Sequence, residues 1–188
     1  MAIELLFNEF PILQTQRLTL RQMSQDDLSE IFALYSDDLV TQFIDIESIS
    51  TKDEAQELLD FFLTHYTNKN AVRWAITEQP SNELIGTIGF NGFDRQASFT
   101  EIGYDLMPQY WRNGIMSEAI LAVLTYGFNT LNLHGIEANV TLGNQASEKL
   151  LEKLGFTREG VLRDRMYIRG AHHSLIYYSL LQSEYITN

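Results

Sequence analysis

Glu101-Ile102-Gly103-Tyr104-Asp105-Leu106-Met107-Pro108-Gln109-Tyr110-Trp111-Arg112-Asn113-Gly114-Ile115-Met116-Ser117-Glu118-Ala119 reads as a strand, a short turn around one glycine, and the start of a helix. A strand that enters a helix N-terminus through a tight loop makes an anion site. The first backbone N–H groups of the helix lack internal partners, and the helix dipole favours negative charge there. A phosphate loop of the Gly-Lys-Ser/Thr kind is excluded, because no such triplet follows Gly114. Further on, Asn144-Gln145-Ala146-Ser147-Glu148-Lys149-Leu150-Leu151-Glu152-Lys153-Leu154-Gly155-Phe156 reads as a helix that stops at a glycine and re-enters a strand.

Upstream, residues 72–77, 84–90 and 99–106 predict three strands, with Gln79-Pro80-Ser81-Asn82 a turn by residue type. Their short connections predict an antiparallel meander. Arg17-Leu18-Thr19-Leu20-Arg21 alternates polar and apolar residues and predicts one more strand. Ser24 with Asp27, and Thr51 with Glu54, are box-like helix starts. Leu28, Ile31, Phe32 and Tyr35 give the first helix its apolar face, and Leu58, Leu59, Phe62 and Tyr66 give the second its stripe. Between them Phe43-Ile44-Asp45-Ile46 is irregular. Downstream come a helix over about 116–131, a strand over 135–140, the Asn144 helix, and two long strands around Arg169-Gly170. The pattern predicts one α+β domain over 14–185, a mixed and mostly antiparallel sheet flanked by about four helices. Residues 1–13 form an N-terminal arm. Its apolar residues Ile3, Leu5, Leu6, Phe7 and Phe10 suit docking on the domain or on a second copy, so monomer and homodimer both stay open.

Composition narrows the function classes. Thirteen basic and 25 acidic side chains give a formal net charge of −12. That argues against nucleic-acid binding, which needs a basic stripe, and it draws cationic substrates such as amines. It also serves solubility alone. No apolar run approaches the roughly 20 residues of a membrane span, and the acidic N-terminus lacks a signal-peptide n-region. The chain has no cysteine, hence no disulfide, thiolate metal site or cysteine nucleophile. A cytoplasmic location is expected. His65, His134, His172 and His173 lack ligand spacing, and His172 and His173 would point to opposite faces of a strand, so no metal is expected.

Six motifs occur in a familiar order over residues 14–182. They are Thr15-Gln16-Arg17-Leu18-Thr19-Leu20-Arg21, Glu101-Ile102-Gly103-Tyr104, Ser117-Glu118-Ala119, Asn144-Gln145-Ala146-Ser147, Lys153-Leu154-Gly155-Phe156-Thr157-Arg158-Glu159-Gly160 and Tyr178-Ser179-Leu180-Leu181. Together they resemble the GCN5-related N-acetyltransferases (GNAT), in particular the ribosomal-protein N-acetyltransferase-like branch. The family's pyrophosphate loop runs Gln/Arg, two residues, Gly, one residue, Gly/Ala. Here those positions are Trp111, Gly114 and Met116, so only the middle glycine is kept. A tryptophan and a Met or Ala there are common in this branch.

The resemblance implies direct acetyl transfer from acetyl-CoA to a primary amine. The acceptor would be a protein N-terminal α-amine, or else a small-molecule amine such as a polyamine, amino sugar or amino-acid derivative. A non-catalytic acyl-CoA-binding module is the third reading, kept open by Leu151 and Met116. It assigns the pyrophosphate to the backbone N–H groups of Arg112, Asn113, Gly114, Ile115, Met116 and Ser117, with the Arg112 side chain adding charge. Leu106 and Met107 would pair through backbone with the pantetheine arm, and an N–H there would polarise the thioester carbonyl. Asn144 suits an N-cap by type, and in related enzymes an asparagine here also bonds the pantetheine. Many relatives place a tyrosine seven residues later, where this chain has Leu151. Ser147, one turn earlier on the same face, is then the candidate donor to the leaving sulfur, or a small packing residue. Glu101 is the candidate base, or a structural or substrate-orienting acid. A free glutamate titrates near 4.3, so it would need burial or an intervening water. Glu118 reads more simply as a first-turn acid that suits the helix dipole. Many relatives carry an acid where Ser174 stands, so local substrate contacts differ here.

Overall fold

The computed structural model describes residues 2–185. In chain order the elements are α1 (Ala2–Leu5), β1 (Leu13–Gln14), β2 (Leu18–Gln22), α2 (Leu28–Tyr35), α3 (Asp38–Thr41), α4 (Lys52–Thr67), β3 (Val72–Glu78), β4 (Leu84–Asp94), β5 (Phe99–Leu106), α5 (Ile115–Thr125), β6 (Gly135–Thr141), α6 (Gln145–Lys153), β7 (Thr157–Ile168) and β8 (Ala171–Leu181). They make the expected α+β domain. One eight-stranded sheet runs β1-β2-β3-β4-β5-β6-β8-β7. Every neighbouring pair is antiparallel except β5 and β6. Of the six helices, α1 and α3 are single turns, which leaves α2, α4, α5 and α6 as the four that flank the sheet.

At its centre, β3 and the first part of β4 are buried on both faces, and the strand period of two sorts their residues. Trp74 and Ile76 of β3 join Ile88, Phe90 and Ile102 against Ile120, Val123 and Leu124 of α5 and Leu151 of α6. Ala75 turns the other way, toward Ile31, Leu34 and Tyr35 of α2 and Leu59 and Phe62 of α4. The α4 start is a full capping box of Thr51 and Glu54. The Ser24–Asp27 box also forms, but it opens a 3-10 turn over Gln25–Asp27, and α2 begins only at Leu28.

Two expectations need adjusting. Residues 91–94 are not loop, because β4 continues to Asp94 through a bulge between Phe90 and Phe93. The long helix starts at Ile115 and ends in a wide π turn over Tyr126–Thr130. At that turn the backbone lies close on the sheet. A Cβ on Gly127 would stand 3.0 Å from Ile136 Cδ1 and 3.1 Å from Phe90 Cζ.

The N-terminal arm docks on its own domain. Ile3 and Leu6 are buried in the main core, while Leu5 stays exposed. Phe7 and Phe10 pack on Tyr66 at 5.5 and 4.9 Å. Trp74 Nε1 donates to the Pro11 carbonyl at 2.7 Å.

One feature of the sheet positions everything that follows. The parallel pair holds for three residues, Phe99–Glu101 against Gly135–Glu137. Beyond them β5 and β6 part, and a cavity of about 820 Å³ opens over the gap.

Candidate active site

The turn before α5 leaves the helix start without a side-chain cap. Gly114 is the N-cap at φ 77°, in the left-handed region. Arg112 is also left-handed, at φ 62°. Its guanidinium is exposed and makes no hydrogen bond among the described residues. The turn is pinned from two sides. Trp111 Nε1 donates to the Leu106 carbonyl at 2.7 Å. Arg17 donates to the Asn113 carbonyl at 3.1 Å and pairs with Glu118 at 2.7 Å. A Cβ on Gly114 would stand 3.5 Å from an Arg17 nitrogen, so a positive charge already flanks the turn. Glu118, expected as a dipole partner, is the anchor of this clasp. Burial raises its pKa, but bonds from Thr15 and Arg17 and the Arg17 charge outweigh that and hold the carboxyl below its ordinary value.

The gap beside β5 holds the other candidate residues. Met107 N–H donates to the Ile85 carbonyl at 3.0 Å, so it is spent inside the sheet and is not the polarising donor. Strand alternation then turns Leu106 N–H to the opposite edge, toward the gap. Asn144 caps α6, its side chain accepting from Ser147 N–H at 3.2 Å. That places Ser147 on the gap, and there its Oγ lies 2.6 Å from the Tyr104 hydroxyl. Leu151 is fully buried in the core, away from any proton chemistry.

Glu101 lines the same cavity, half-buried. Asn91 donates to one carboxylate oxygen at 3.2 Å and Asn139 to the other at 2.8 Å. The irregular 43–46 segment lies over the cavity, with Phe43, Ile44, Asp45 and Ile46 lining it. It is strapped there by Arg169 of the β7–β8 turn, which donates to the Thr41 carbonyl at 2.8 Å, and by Thr141, which donates to the Phe43 carbonyl at 2.5 Å. Tyr177 faces the cavity too and donates to Glu137. Burial and the Glu137, Glu159 and Glu101 charges push its phenol up to about 12.

A buried polar network under the cavity escaped the sequence reading. Asp105 accepts from Tyr35 at 2.8 Å and pairs with Arg73. Arg73 also donates to Thr87 at 3.0 Å and to Asn91 at 3.2 Å, and lies 5.1 Å over the Phe62 ring. Burial opposes the Arg73 charge, yet Tyr35 and Asp105 outweigh it and hold the guanidinium above its ordinary pKa. Burial first, then the Asp105 charge, pushes the Tyr35 phenol well up. The partners sit on β3 and β5, which β4 separates in the sheet, so no local sequence signal pairs them.

The sequence pattern of the acetyltransferase (GNAT) domain family matches residues 17–157. The chain belongs to the GNAT acetyltransferases. It is 42% identical over 173 residues to YoaA of Bacillus subtilis strain 168, named as an uncharacterized N-acetyltransferase, covering 92% of this chain and 98% of that one. It is 30% identical to the spermidine N(1)-acetyltransferase of Vibrio cholerae, over 90% of this chain and 96% of that one. RimL, a ribosomal L7/L12 alpha-N-protein acetyltransferase solved in complex with coenzyme A, shares the GNAT fold at a TM-score of 0.81. That match has 22% identity and covers 91% of this chain and 98% of RimL. No helix among the described residues of this GNAT enzyme is long and apolar enough to cross a membrane.

Proposed function

We propose that this GNAT enzyme works in the cytoplasm, moving an acetyl group from acetyl-CoA directly to a primary amine, with a protein N-terminal α-amine as its acceptor. The observation that carries the reading is continuity. It lies along β5, which lines the gap beside Ser147 with Glu101 to Asp105 and, past Leu106, feeds the uncapped start of α5 that Arg17 flanks. The residues present suit the cosubstrate. Unpaired α5 amides, Arg17 and Arg112 match a pyrophosphate, and the Leu106 N–H, turned toward the gap, is left for the acyl oxygen. Bound there, acetyl-CoA supplies the activated acyl group.

The chain's residues then divide the remaining work. Leu106 N–H donates toward the acyl oxygen. Glu101 takes the amine proton through a water, on a lone pair left beside the Asn91 and Asn139 amide donors. Ser147 donates to the leaving sulfur. An α-amine, with pKa near 7.7–8.0, needs no strong base at neutral pH. We expect Glu101→Gln to lower kcat by about a hundredfold with the KM for acetyl-CoA unchanged. An unaltered kcat in steady-state assays would leave Glu101 a structural acid.

A small polycationic amine is the second reading. Glu137 and Glu159 join Glu101 around Tyr177, and one relative is named for spermidine. Thiol release from acetyl-CoA, measured across N-terminal peptides and polyamines, separates the two. Peptide-dependent release supports the first reading, and polyamine-dependent release the second. Binding without release to any amine would make the chain a non-catalytic acyl-CoA module.

A further inference from the structure

Ser147 has one awkward property as a donor: a serine hydroxyl carries a single hydrogen, and its direction is free to rotate. In the first turn of a helix that hydrogen readily turns to nearby backbone or side-chain acceptors. What fixes it here is a second hydroxyl. Tyr104 Oη lies 2.6 Å from Ser147 Oγ, and it is the sole partner of that oxygen among the described residues. Tyr104 stands on β5, two residues before Leu106, at the edge of the gap and lining the cavity. The contact joins two elements 43 residues apart, so it is set by the fold and not by local sequence.

We propose that Tyr104 is a positioning residue for acetyl transfer, donating its hydroxyl hydrogen to Ser147 Oγ so that the Ser147 hydrogen points to the departing sulfur. The proposal rests on the acetyl-CoA reading given above. A phenol is a stronger acid than an alkyl alcohol, so it is the natural donor of this pair. Burial supports the assignment by pushing the Tyr104 phenol up to about 12, which keeps it protonated across the working pH range. Tyr104 therefore acts as a hydrogen-bond donor that keeps its proton.

The step balances without a proton from Tyr104. The amine nitrogen forms the new C–N bond, and the C–S bond breaks with its electron pair on sulfur. The nitrogen releases one proton by way of Glu101, and the sulfur regains one from solvent. Tyr104 and Ser147 act as a two-hydroxyl chain of hydrogen bonds, each oriented by the one before it. The chain serves where many relatives use one tyrosine, at the position of Leu151.

The test compares wild type, Tyr104→Phe, Ser147→Ala and the double variant in two measurements. One is the thiol pKa of bound coenzyme A, read from thiolate absorbance against a ligand-free titration. The other is steady-state turnover. We expect bound thiol in wild type to titrate about one unit below free thiol, because hydrogen bonds favour its charged form. Tyr104→Phe and Ser147→Ala should each lose that shift. Each should lower kcat about tenfold with the KM for acetyl-CoA within twofold. The double variant should be no worse than Ser147→Ala, since the two hydroxyls act as a unit. Tyr104→Phe keeps the ring and its packing, so folding is preserved. A Tyr104→Phe enzyme with wild-type thiol pKa and kcat overturns the proposal, as do losses that simply multiply in the double variant. A wild type that binds no coenzyme A overturns the acetyl-CoA reading itself, a separate result.

Discussion

We expect Gly114→Asp to abolish acetyl-CoA binding in a chain that still folds. Two effects combine at this residue. Its φ of 77° is easy for glycine and costs other residues about 1 kcal/mol, with Asn and Asp the best tolerated. The added carboxylate would then stand at the helix start, where the proposed pyrophosphate site lies. Two like charges about 4 Å apart in partly screened surroundings repel by about 4 kcal/mol, close to a thousandfold in affinity. Gly114→Asn separates the two causes, because it has a similar shape and no charge. It should weaken binding by no more than about tenfold. Calorimetric titration of acetyl-CoA, with folding checked by circular dichroism, reads both variants. Unchanged binding by Gly114→Asp would remove this turn from the cosubstrate site.

Asp105→Ala is the variant expected to cost the fold most. It strips the Arg73 guanidinium of its anion where only 11% of that side chain is exposed, and it takes an acceptor from the buried Tyr35 hydroxyl. Breaking a buried pair from one side typically costs about 3–5 kcal/mol. Urea denaturation should show the midpoint fall with little change in slope. Replacing both partners, as Arg73→Met with Asp105→Ala, should recover much of the loss, since no unpaired charge remains. If Asp105→Ala costs under about 1 kcal/mol, water reaches the site and the network is not the anchor described.

How much of this was legible in the sequence depended on the range of each interaction. The meander, the Thr51–Glu54 cap and the turn at Gly114 are set by residues within a few positions of one another, and all appear where expected. Local signals also explain the misses. The Ser24–Asp27 box could not announce that its first turn would be 3-10, and β4 runs past Phe90 because β5 offers a partner strand beyond a bulge. The candidate site was legible in parts. Ser147, Glu101 and Gly114 were named from their motifs, whereas Met107 had to be seen in the sheet to find its N–H already used. The Arg73–Asp105–Tyr35 network and the Tyr104–Ser147 contact link residues 32 to 70 positions apart. Only the fold brings such partners together.

The three-rung pairing of β5 and β6 leaves the molecule with an unfinished seam in its own middle. A chain-like ligand that carries amides can occupy the missing rungs as a guest strand would. Substrate capture and sheet completion are then one event. On the acetyl-CoA reading the enzyme between turnovers would be the looser form, and each departing product would reopen the seam. Resistance to heat and to backbone hydrogen exchange around Tyr104 and Leu106 should therefore track how much acetyl donor surrounds the protein. In a cell short of that donor, scarcity would reach this enzyme twice, as slower catalysis and as a protein easier to unfold.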